Sequence, residues 1–155
     1  MNELFNEATQ SPRQRQHRNI HSSYDDPCQR LVNAIGINSY IRPHRHLIDP
    51  KNETLIALQG LFALLTFDNQ GRIREIIRFG TEAHLGIDVL SVGVDIPPDI
   101  WHSVIALSSN SILMELKAGP FRPYSAKELA SWAPEEGSPE SIEYLQNLKK
   151  HVHKV

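Results

Sequence analysis

From Gln29 to Ala118 the chain is a succession of eight short apolar runs with no helical run between them: "QRLVNAI", "SYIRPHRH", "ETLIALQ", "LFALLTF", "RIREIIRF", "IDVLSVGVDI", "HSVIALS" and "SILMELKA". Turn residues punctuate them, among them Gly36-Ile37-Asn38, Asp49-Pro50, Gly60, Asp68-Asn69-Gln70-Gly71, Pro97-Pro98 and Ser108-Ser109-Asn110. Runs rich in Ile, Val, Leu and Phe, this short and this closely spaced, are predicted to be strands. Without crossover helices they must pair antiparallel, in a sandwich or a barrel, so the fold class is all-β.

The flanks read differently. "NELFNEATQ" is predicted as a short N-terminal helix ended by Ser11-Pro12, and residues 1–20 as a helical or arm segment ahead of a barrel over 21–119. The stretch "SPRQRQHR" carries Arg13, Arg15 and Arg18; a solvated turn is the favoured reading, an anion-binding arm the alternative. Residues 120–155 form a tail, with a short helix predicted over "SAKELASWA" and a second over "SPESIEYLQNLKKHV". Ser138 would cap the second, with Pro139 at its first position. Its stripe of Ile142, Leu145, Leu148 and Val152 is expected to dock on the barrel.

Whole-chain properties narrow the function. A formal net charge of −2 over 155 residues gives no global pull toward nucleic acid or an anionic membrane. The first twenty residues lack the apolar core of a signal peptide, and the longest mostly apolar run, Leu55 to Phe67, is too short to span a bilayer as a helix. The one cysteine, Cys28, cannot form an intrachain disulfide. The expectation is a cytoplasmic protein.

"RPHRHLIDPKNE" raises the chemical question. On a strand, His44 and His46 share a face, about 6.6 Å apart along the chain. The Asp49-Pro50-Lys51-Asn52 turn lets the chain reverse and bring Glu53 beside them. Glu53 opens an apolar strand, where a charge needs a partner. In "DIPPDIWHSVIAL", Pro97 and Pro98 bend the chain just before His102 enters another apolar strand. Taken singly, each residue has a plain structural explanation; together, three histidines and a carboxylate make a normal set of ligands for a divalent metal ion, Zn, Fe, Mn or Ni. A second His-x-His, His151 and His153, sits at a polar helix end where positions two apart diverge, and is read as structural.

The pattern resembles the cupins: a first motif with His-x-His, a glutamate and a later glycine, here His44, His46, Glu53 and Gly60, and a second ending in histidine, here Pro97 to His102. Six residues separate His46 from Glu53, and Asp99 stands where the second motif has glycine. With "RLVNAIGINSYIRPHRH", "ELKAGPFRP" and "LASWAPEE" the chain looks like the small WbuC-type cupin metalloproteins, encoded among bacterial genes for O-antigen and other surface polysaccharides. That resemblance implies a cupin jelly roll with short terminal helices, holding a metal through His44, His46, Glu53 and His102.

Four further residues are candidates for substrate. Tyr40 and Arg42 share strand parity with the histidines, so an inward Arg42 would hold an anionic group. Glu115 and Lys117 share one face of the last strand; they either line the site or form an ion pair on the outside. Three functions compete: a metal-dependent isomerase, epimerase or lyase acting on a sugar or sugar nucleotide, an iron-dependent oxygenase, and a non-catalytic sugar-binding module. The expected partner is a small, anionic carbohydrate, and the expected assembly a homodimer that covers exposed strand edges.

Overall fold

The computed structural model describes residues 2–81 and 91–153. After helix α1 (Asn2–Gln10) come strands β1 (Arg15–Asn19), β2 (Cys28–Ile35), β3 (His44–Arg45), β4 (Glu53–Gln59), β5 (Leu61–Phe67), β6 (Ile73–Gly80), β7 (Gly93–Ile96), β8 (Trp101–Ala106), β9 (Ser111–Ala118) and β10 (Glu128–Leu129), then helix α2 (Pro139–Val152). The strands form two five-stranded antiparallel sheets, β1-β2-β9-β4-β7 and β10-β3-β8-β5-β6. This is the all-β fold that the spacing of the runs predicts, and the jelly roll with short terminal helices that the resemblance implies. Residues 87–90 of the predicted run "IDVLSVGVDI" lie outside the described residues.

Strand alternation explains the layers. Ile35, Leu55, Ala57, Phe62, Leu64, Phe79, Ile96, Val104 and Leu113 point between the sheets and pack into one cluster. Their neighbours face outward under the helices. Ala63, Leu65, Phe67 and Ile105 meet Leu145, Leu148 and Val152 of α2, whereas Ala34 and Ile112 meet Leu4 and Ala8 of α1. β5 is apolar along almost its whole length because both of its faces are covered. The chain crosses from one sheet to the other at Gly60, whose φ of +89° suits glycine.

Three sequence expectations need correction. The first sheet starts within the supposed N-terminal arm: Arg15 to Asn19 pair with Ile35 to Leu31 as an edge strand. "SAKELASWA" forms no helix. Its centre is β10, because the Ala130 N–H donates to the Pro43 carbonyl, Glu128 pairs with Arg45, and Trp132 packs on Phe67 and Trp101; tertiary pairing overrides helix propensity there. On α2, Ile142 is 67% exposed and the buried face is Ser141, Leu145, Leu148 and Val152, while the Ser138 hydroxyl makes no capping bond. Among the described residues, no helix is long and apolar enough to cross a membrane.

Candidate metal centre

The short strand β3 brings the two motifs together. His44 is the direct partner of His102 on β8, and the His46 N–H donates to the Pro98 carbonyl just beyond β3. Glu53 arrives from the facing sheet at the start of β4, after the Asp49-Pro50 turn. All four side chains are buried, and one ligand atom from each lies within 4.8 Å of the others.

The hydrogen bonds orient the histidines. His44 Nδ1 lies 3.0 Å from the Arg42 carbonyl, His46 Nδ1 2.6 Å from that of Ala126, and His102 Nδ1 2.8 Å from that of Ile100. A carbonyl only accepts, so each Nδ1 carries the proton and donates. In the neutral rings every Nε2 then presents a lone pair. His46 Nε2 and His102 Nε2 stand 3.0 and 3.2 Å from Glu53 Oε2. Lone pairs directed at a carboxylate oxygen require a cation between them, either a proton or a metal ion. Burial, with His102 and Lys127 close by, pushes His44 well below its usual pKa, which keeps it a neutral donor. Three oriented imidazole nitrogens and one carboxylate therefore fit a divalent metal ion, with the backbone carbonyls fixing the rings.

A cavity of about 350 Å³ opens beside the cluster. Glu115 and Lys117 line it, as inward parity on β9 allows. Lys117 Nζ is 3.8 Å from Glu53 Oε1. Burial pushes the Glu53 carboxyl up, but His102, His46 and the Lys117 ammonium outweigh it and hold the group well below the usual carboxylate range. Glu115 is driven the other way, well above that range, by burial and by the Glu53 charge and hydrogen bond. Burial lowers the Lys117 pKa against the pull of Glu53 and Glu115. The wall beside the cluster thus holds a carboxyl driven toward its protonated form and hydrogen-bonded to Glu53, and an ammonium 3.8 Å from Glu53.

Tyr40 and Arg42 are not brought to the cavity. The Tyr40 hydroxyl donates to the Pro134 carbonyl, and its ring packs against Tyr144 of α2. Arg42 Nε and Nη2 both donate to the Ala130 carbonyl. The parity that placed them inward holds only within a regular strand. Residues 39–43 lie outside β3, and Ile41 lines the cavity instead. Sequence reasoning missed the continuation of this wall onto β1 and β2, where Arg13 just before β1, His17, Gln29 and Asn33 also line the cavity. The signal was alternation along "RQHRN" and "QRLVN", overlooked because the arginines suggested a solvated turn.

A family described as a domain of unknown function (DUF6016) matches residues 1–79 of the 155. The chain belongs to the DUF6016 family. Comparison with solved structures shows what this DUF6016 chain is like in three dimensions. A structural-genomics target from Shewanella oneidensis superposes with a TM-score of 0.57 at 12% identity, covering 88% of this chain and 82% of its own. The capsular polysaccharide assembling protein CapF from Staphylococcus aureus gives 0.56 at 18% identity, over 77% of this chain and 32% of CapF. Oxalate decarboxylase from Bacillus subtilis gives 0.51 at 15%, over 74% and 27%. At these identities the likeness shows the fold alone, and that fold is the cupin fold. No curated protein matches the sequence.

Proposed function

We propose that this cupin is a metal-dependent enzyme of the WbuC type that acts on a sugar or sugar nucleotide in the cytoplasm, in the assembly of bacterial surface polysaccharide. The observation that carries the reading is that the oriented His44, His46, Glu53 and His102 line the same cavity as Glu115 and Lys117. A bound divalent ion would polarise a carbonyl or acidify a water. The chain's own residues do the rest. The backbone carbonyls fix the imidazoles, and Lys117 and Glu115, which both contact Glu53, hold that carboxylate at the cavity wall. The likeness in fold to CapF, described as a capsular polysaccharide assembling protein, agrees with a role on carbohydrate.

Elemental analysis of untagged protein purified without added metal tests the reading. A stoichiometric divalent metal is expected. Its absence after reconstitution with zinc, iron, manganese and nickel sinks the proposal. We further propose a homodimer, because β1, β6, β7 and β10 are sheet edges among the described residues; sedimentation giving a monomer at micromolar concentration rejects it.

A further inference from the structure

The cavity extends well away from the metal cluster, along the inner face of the first sheet. The pairing registers lay out that face. Glu53 stands opposite Lys117, which stands opposite Gln29; farther along, Leu113 stands opposite Asn33, which stands opposite His17. His17 is therefore three strands and four residues from Glu53. At a strand spacing of about 4.8 Å and a rise of about 3.3 Å, it lies about 14 Å across the sheet and about 13 Å along it. A single sugar ring at the cluster does not reach that far.

The distant wall has its own chemistry. Arg13 and His17 are exposed and line the cavity. The neighbouring Arg15 guanidinium is engaged by Glu136, the Ser39 hydroxyl and the Tyr40 carbonyl. The Arg13 guanidinium has no partner among the described residues. Asn33 Oδ1 is buried, belongs to a cavity-lining residue and accepts no hydrogen bond. A buried acceptor left unpaired is rare and costly in a folded protein. Partial desolvation of the ring, with Arg13 and Arg15 close by, lowers the His17 pKa, so the ring offers one N–H at neutral pH. An unpaired guanidinium and an imidazole N–H suit an oxyanion; the orphaned amide oxygen needs a hydroxyl donor.

We propose that Arg13, His17 and Asn33 form a second recognition site, which binds the phosphoryl group and an adjacent hydroxyl of an extended sugar phosphate while its other end reaches the metal cluster. This rests on the carbohydrate reading above and names the substrate class more closely. It also gives Arg13, just before β1, the anion-binding role that a solvated turn would not have. Phosphate rather than carboxylate is assigned because a phosphoryl group offers three oxygens and more than one negative charge to donors on two separate residues, where a carboxylate offers two oxygens and one charge.

The test is a nuclear magnetic resonance titration of the protein as purified, with inorganic phosphate, α-glucose 1-phosphate and glucuronate as separate probes. Both phosphates are expected to shift the resonances of Arg13, His17 and Asn33. Arg13→Ala should weaken both at least tenfold. Asn33→Leu should weaken glucose 1-phosphate alone by about tenfold, and should raise the melting temperature by removing the unpaired oxygen. Arg18→Ala, which breaks pairs with Glu3 and Glu7 on α1, should change neither. Shifts confined to residues around His44, His46 and His102, equal losses in Arg18→Ala, binding of glucuronate as tight as that of glucose 1-phosphate, or a lower melting temperature in Asn33→Leu would each overturn the proposal. Shifts at Arg13 and His17 in a protein that retains no metal keep this site and reject the metal centre. A metal-loaded protein without those shifts does the reverse.

Discussion

His44 on β3 and His102 on β8 are direct cross-strand partners, with ring centroids 4.4 Å apart. One bridge between a two-residue strand and a long one thus joins the two histidine motifs. Replacing His102 with alanine should remove bound metal while leaving the jelly roll folded, because the apolar cluster between the sheets contains none of the four ligands. Metal analysis and a melting curve on the same sample check this. Full metal occupancy in His102→Ala would show that the second motif is not a ligand.

Strand parity explains which site residues could be read from the sequence. Glu115 and Lys117 lie on β9, paired without interruption along β2, so alternation carries them to the cavity as it carries Ile112 to the opposite face. Arg42 fails by the same rule. The strand that should carry it is two residues long, and Pro43 separates it from His44. Its guanidinium turns to the Ala130 carbonyl, which belongs to a segment more than eighty residues later that no local pattern announces.

Glu136 is the acceptor that joins this later segment to the sheet. Its carboxylate accepts from Arg15 Nη2 at 2.5 Å and from the Arg42 N–H at 3.2 Å. Glu136→Ala would strand the buried Arg15 charge and leave the Arg42 amide unpaired. Removing one member of a fully buried pair costs about 3–5 kcal/mol; with Glu136 partly exposed, a loss of about 2 kcal/mol is expected in urea denaturation. A change below about 0.5 kcal/mol would show that water replaces the carboxylate at no cost.

Gly60 carries the chain between the sheets with φ of +89°, and a Cβ there would run into the Ser111 side chain and backbone and the Ser108 hydroxyl. The Ser108 hydroxyl also accepts the Leu61 N–H. Gly60→Ala is therefore expected to destabilise by more than about 1 kcal/mol, through backbone strain and displacement of the two serines. Equilibrium denaturation reads it, and an unchanged midpoint would contradict the left-handed geometry.

Most of the apolar runs were legible as strands because each has a periodicity or a length that a helix would not have; "SYIRPHRH" yields only the two residues of β3. The edge strand β1 was not, since its sequence, Arg15 to Asn19, contains no apolar residue. It is a strand because β2 offers a free edge. The predicted helix near Ser125 failed for a related reason. Its residues pair with β3 and place the Ala126 carbonyl against His46 Nδ1, so tertiary contacts at the candidate metal centre decide the backbone there.

The turn between β5 and β6 provides a pH test far from the cluster. Asp68 accepts the Gln70 and Arg72 N–H groups at 2.9 Å each and Arg72 Nε at 2.6 Å. The Arg72 and Gln70 hydrogen bonds and the Arg72 charge bring its carboxyl down to about 2. The unfolded chain should titrate it near the ordinary value of about 3.9. With the folded value the lower one, the ionised form favours the folded state. The contribution is complete above about pH 4, shrinks as pH falls and is gone below about pH 2. Asp68→Asn keeps the side-chain shape, and its amide oxygen can still accept backbone N–H bonds, but it cannot ionise. The parent should therefore lose more stability than Asp68→Asn between pH 4 and pH 2, while above pH 5 the two curves run parallel. Carboxyl-detected titration of the parent should give a midpoint near 2 for Asp68. A midpoint near 4, or parallel curves throughout, would show that the turn does not depend on this charge.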